Sequence, residues 1–131
     1  MLQNKKDLLL KDLCARLPYE VKVQSYSYED DIETVETLYN IDSDGYMSTL
    51  ECDTLKNIAK PYLFPLSSIS EDLKNELYTN LTELELKALN GEIEHSAVSA
   101  FEIDFYHKHH IDYRGLIPMG LAIDATGKNI Y

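Results

Sequence analysis

The chain has 131 residues, 44% of them hydrophobic, with ten tyrosines, no tryptophan and a formal net charge of −11; this composition suits a folded domain with its own core and excludes a disordered chain. The acidic balance excludes binding nucleic acid through its phosphates, because counterion release requires a basic surface. No apolar run is long enough to span a membrane, and Asp7, Lys11 and Asp12 break the N-terminal MLQNKKDLLLKDL before it reaches signal-peptide length, so a cytoplasmic location is expected.

Asn4 can cap a helix from about Lys5 to Arg16, in which Leu9, Leu10, Leu13, Cys14 and Leu17 share one face while Lys6, Asp7 and Lys11 turn outward. Pro18 ends it. Cys14 and Cys52 lie far apart without metal-type spacing and are expected to be reduced, buried small hydrophobes. From Glu20 the period changes to two, with Val21 and Val23 opposite Lys22 and Gln24, which predicts a first strand broken by the acidic cluster Glu29 to Asp31.

The stretch Thr34 to Glu51 supports two structures. As a calcium loop it offers oxygens at Asn40, Asp42, Asp44 and Ser48, the Tyr46 backbone, Gly45 at the turn and Glu51 as a bidentate last ligand. As a hairpin, Val35, Thr37, Tyr39 and Ile41 alternate on one face, Asp42 to Gly45 turn, and Tyr46 to Leu50 return. The hairpin is preferred: the approach is rich in β-branched and aromatic residues, Asn40 removes a charge from the first ligand position, and the loop has no second copy.

Ser25 to Asp53 holds nine acids and no Lys or Arg. Such a face is ordinarily solvated, but it also attracts a partner with a basic surface, and Glu33, Glu36 and Asp44 are the candidate contacts. Leu55 to Ser70 then reads as a rigid, extended connection set by Pro61 and Pro65, with a short strand beginning at Ile58 and Tyr62 and Phe64 packed inward. Ser68 and Glu71 form a capping box for a helix from about Ile69 to Asn80, carried by Ile69, Leu73, Leu77 and Leu81.

Residues 82–95 fit either helix or hairpin, and the alternation of Leu84, Leu86 and Ala88 before Asn90-Gly91 favours a hairpin near 84–94. Ser96 or Ser99 can cap a last helix bearing Val98, Phe101 and Phe105 and ending near His110.

Asp104, His107 and His110 form an i, i+3, i+6 row that could ligate zinc or nickel as a metal-dependent enzyme, although helix-end histidines more often serve the dipole and solvent. His110 could pair with Asp112 or Cys14, but no nucleophile motif accompanies it, so neither an enzyme nor a cofactor is expected. Asp112 to Ile117 has the composition of an interface hot spot centred on Tyr113 and Arg114, and equally that of a docked terminal element holding Arg114 near a carboxylate; docking is preferred.

The blocks Leu8 to Val23 (LLLKDLCARLPYEVKV), Lys60 to Ser70 (KPYLFPLSSIS) and His109 to Ala125 (HHIDYRGLIPMGLAIDA) resemble, in the same order, those of a family of small uncharacterised proteins of gut Bacteroidales and their phages or mobile elements. The resemblance implies a bacterial or phage cytoplasmic setting, a strand without a calcium loop before the KPYL block, and no particular activity. Together these readings predict a single α+β domain over 1–131. Residues 1–58 supply an N-terminal helix and a small antiparallel β-barrel or meander, and 59–131 a mainly helical half. The expected role is a non-enzymatic protein-interaction module.

Overall fold

A computed structural model of the chain describes residues 3–27, 32–41, 47–49 and 60–131. The first helix, α1 (Gln3–Arg16), buries Leu9, Asp12, Leu13 and Arg16, the i, i+3, i+4, i+7 positions of one face. Pro18, which cannot continue an α-helix, sits in a 3-10 turn at Leu17–Tyr19, and Glu20 reverses the chain at φ 58°. The same spacing carries Cys14 to the outer side, where it is exposed, not buried as its residue type suggests. Cys52 lies outside the described residues.

Three strands follow, β1 (Lys22–Ser27), β2 (Ile32–Ile41) and β3 (Met47–Thr49), paired antiparallel in the order β1-β2-β3. Val23 pairs with Glu36 and Ile41 with Met47, with a register irregularity between Leu38 and Asn40. Val21, Val23 and Leu38 turn inward and form the core with Leu9, Leu13, Leu63, Leu116 and Leu121. Val35 and Tyr39 lie on the outer face, 47% and 65% exposed, whereas Ile41, expected on the same face, packs partly buried against the core beyond the register irregularity.

A second, parallel sheet has β4 (Tyr62–Pro65) at its centre, with β5 (Ile111–Asp112) and β6 (Ile123–Asp124) on either side. Its bonds run from Phe64 N–H to His110 C=O, Ile123 N–H to Pro61 C=O and Ala125 N–H to Leu63 C=O, each 2.8 Å. The two sheets meet at a bridge between Val23 and Pro61, beside which Gln24 N–H donates to Lys60 C=O at 2.9 Å. Tyr131 Oη extends this seam by accepting from Lys22 N–H at 2.9 Å and donating to Tyr62 C=O at 2.7 Å.

Between β4 and β5 the chain forms α2 (Glu71–Leu89) and α3 (His95–Lys108), packed on each other. Ser70, not Ser68, caps α2 by accepting from Leu73 N–H at 3.2 Å, while Ser68 Oγ donates to Pro65 C=O.

The expected fold is corrected in three respects. Neither sheet closes into a barrel among the described residues, and one of the two is parallel, which the sequence reading did not foresee. The second half is not simply helical, since it supplies β4, β5 and β6. The hairpin expected near 84–94 is instead the last turns of α2, because Leu73, Leu77, Leu81, Leu84 and Ala88 keep helical spacing through the ambiguous stretch. Asn90-Gly91 ends this helix: Gly91, at φ 76°, sends its N–H to Ala88 C=O at 3.1 Å, and Glu92 N–H reaches back to Lys87 C=O at 2.9 Å. Among the described residues no helix is long and apolar enough to cross a membrane.

The exposure of Cys14 is directly checkable. Native protein treated with a thiol-reactive chromogenic disulfide is expected to give one more fast-reacting equivalent than its Cys14→Ser variant. Equal counts would contradict the outer placement of Cys14 on α1.

Candidate functional site

The densest arrangement of polar side chains is buried where α1 meets the segment after α3. Asp12 and Arg16, one turn apart, are both wholly inaccessible, with Arg16 Nε donating to Asp12 Oδ2 at 2.7 Å. Arg16 Nη2 reaches across the fold to Ile111 C=O at 2.6 Å, and the other carboxylate oxygen of Asp12 accepts from Arg114 Nε at 3.0 Å. The Tyr113 ring lies under both guanidinium groups, with Arg16 Cζ 5.6 Å and Arg114 Cζ 5.0 Å from its centroid. Its hydroxyl stands 2.7 Å from His107 Nε2, and its other neighbour is Tyr106, stacked at 5.5 Å and donating to Glu102 at 2.8 Å.

Electrostatics in this cluster follow from burial beside fixed cations. His107 is held below the usual imidazole range, first by desolvation and then by Arg16, with Asp12 opposing. His110 is pushed down to about 4 by burial, with the charges of Arg16, His109 and Lys22 adding to it. Burial raises Tyr113, partly offset by Arg114, and lifts Tyr106 to about 12 with help from Glu102. Neutral imidazoles and protonated phenols therefore surround the ion pair. Such a set holds geometry well, and it offers no activated nucleophile.

The expected hot spot at Tyr113 and Arg114 is thus engaged inside the molecule, and Arg114 does meet a carboxylate, that of Asp12. Asp112 does not pair with His110; its two oxygens accept from Leu116 N–H at 2.8 Å and Ile117 N–H at 2.9 Å, folding the next turn back on the core. The row Asp104, His107, His110 does not form a ligand set, because α3 ends at Lys108 and His110 takes φ 58°. His107 turns to Tyr113, His110 stacks on the Tyr131 ring at 3.7 Å, and Asp104 faces solvent. No group of three His, Cys, Asp or Glu able to hold a metal occurs among the described residues.

Neither Asp12 nor Arg16 is among the site residues expected from sequence. Their signal was present as an acid and a base four residues apart that fall within the Leu9 and Leu13 stripe, where a charge must find a partner.

The acidic segment forms the other candidate site. Glu33 pairs with Tyr26 in the backbone register, and Glu36 is half-buried opposite Val23. Asp44 lies outside the described residues, as do Asp42 and Glu51 of the calcium set. Asn40 and Ser48 of that set are partners across β2 and β3, so the loop is approached from a strand, not from the helix that a calcium loop of this type requires. Arg114 and Tyr113 pair within their own cluster. In comparisons with protein-family models, curated proteins and solved structures, nothing matches the chain.

Removing Asp12 leaves Arg16 buried without its counter-charge, so Asp12→Ala is expected to cost about 3–5 kcal/mol in urea unfolding. Arg114→Ala, whose side chain is partly exposed, should cost less, and the Asp12→Leu/Arg16→Met pair should recover part of the Asp12→Ala loss. A cost below about 1 kcal/mol for Asp12→Ala would mean the pair is solvated. The histidines set a pH dependence of defined sign. Because His110 has a lower pKa folded than unfolded, the unfolded chain binds more protons between about pH 6.5 and 4. Stability is therefore complete above that window and falls as pH drops through it. Urea midpoints across the window should fall less steeply for His110→Gln than for the parent chain; parallel slopes would contradict the assignment.

Proposed function

We propose that this chain is a non-enzymatic protein-interaction module of a bacterial or phage-infected cytoplasm, which binds a partner bearing a basic surface. The binding side is the outer face of β2 together with the acidic segment Ser25 to Asp53. The observation that carries this reading is the exposure of Val35 and Tyr39, at 47% and 65%, within a stretch that holds nine acids and no Lys or Arg. An exposed aromatic and an exposed aliphatic on one strand supply area to bury, and the acids carried by the same stretch of chain would select and steer a cationic partner. The buried cluster at Asp12, Arg16, Tyr113 and Arg114 supports the non-enzymatic part of the reading, since both carboxylate oxygens of Asp12 are taken by Arg16 and Arg114.

The test is affinity capture of the tagged chain from a Bacteroides lysate at low and high salt. Two variants accompany it, Val35→Ser/Tyr39→Ser and Glu33→Lys/Glu36→Lys/Asp44→Lys. The expected outcome is one protein retained at low salt, released at high salt and lost from both variants. A partner that both variants retain unchanged removes this face from the binding reaction.

A further inference from the structure

We propose that the outer face of α2 is a second docking site, one that takes a cationic amphipathic helix of another protein. This inference does not depend on the reading of the β2 face. The buried side of α2 carries Leu77 and Ala88, with Leu73, Leu81 and Leu84 half-buried beside them. On the opposite side Tyr78, Leu86 and Leu89 are 62%, 57% and 75% exposed. Tyr78, Thr82, Glu85 and Leu89 follow one another at steps of four, three and four, which is the seam spacing of a helix that packs along another helix. The seam runs for about three turns, roughly 16 Å.

Glu85 identifies the occupant. It lies in the seam between Thr82 and Leu89, so a cover that buries Leu86 and Leu89 also takes the Glu85 carboxylate out of water, and that carboxylate then requires a cation. The lysines of α2 are engaged elsewhere, Lys87 with Glu83 at 3.8 Å and Lys74 with Glu71 at 3.6 Å. Among the described residues none forms an ion pair with Glu85, so the occupant must bring the charge. A second copy of this chain, itself at −11, and an anionic membrane would both be repelled. A helix with Leu-type residues on one stripe and Lys or Arg beside it satisfies both requirements.

The probe is a labelled three-heptad peptide with Leu at a and d and Lys at e and g, titrated against the full chain by fluorescence anisotropy at about 0.1 M salt. A matched peptide with Glu in place of Lys is the control. The Lys peptide is expected to bind, the Glu peptide not. Leu86→Ser/Leu89→Ser and Glu85→Lys should each weaken binding at least about tenfold, with circular dichroism confirming that both variants keep their helix content. Val35→Ser/Tyr39→Ser should leave it unchanged, which separates this site from the β2 face. Equal binding to the α2 variants would reduce the effect to general acidity and overturn the proposal. So would no binding of the Lys peptide, a self-association abolished by Leu89→Ser, or partition into zwitterionic vesicles abolished by the same change.

Discussion

Taking a carboxylate and a guanidinium out of water costs several kcal/mol per ion, and their mutual attraction offsets this only when the remaining donors and acceptors are also paired. The structure meets that condition in full for Asp12 and in part for Arg16, by drawing partners from the far end of the chain; Arg16 Nη1 is buried without a hydrogen-bond partner. Arg16 reaches Ile111, 95 positions away, and Asp12 receives Arg114, 102 positions away. A buried pair of this kind adds little net stability over apolar residues of equal volume. What it adds here is register. Leu9 and Leu13 alone could bury themselves at several rotations of α1, whereas only one rotation lets both oxygens of Asp12 find a guanidinium.

Once that register is set, the rest of the second half is constrained in sequence. Ile111 is in β5, so the Arg16 contact fixes the strand that lies beside β4. Asp112 then accepts two backbone N–H groups, turning the chain so that Leu116 and Leu121 complete the core against Leu9 and Leu13. The chain leaves that turn as β6 on the other side of β4, and Tyr131 closes the seam with β1. Three very short strands hold together because each is tied to something besides its ladder.

The parts legible in the sequence were those with local causes. The amphipathic stripe of α1, the period-two run at Val21 and Val23, the antiparallel return at Met47 and the helix over Leu73 to Leu81 are all written in spacing and propensity. The parallel sheet was not, because strands of two residues leave no periodicity, and their pairing depends on contacts between segments about 50 residues apart or more. Asn90-Gly91 was read as a hairpin turn because the same residues suit a left-handed helix cap; the helical run before them decides, and the dipeptide cannot. Residue type suggests that the Cys14 thiol is inside, while helical geometry puts Asp12 on the buried face, where Arg16 and Arg114 meet it, and carries Cys14 to the exposed one.

The histidines show how the site resolves a conflict between charge and packing. Arg16 and Arg114 already supply two buried or partly buried cations against Asp12, with the Asp112 carboxylate committed to backbone N–H groups. A protonated imidazole at position 107 or 110 would add like charge in a desolvated place. A neutral one can still stack, as His110 does on Tyr131, and share a hydrogen with a phenol, as His107 does with Tyr113. The helix break at His109 and His110 makes this division workable by sending the two rings to different partners. A spacing that resembles a metal site therefore serves as aromatic packing around a fixed ion pair.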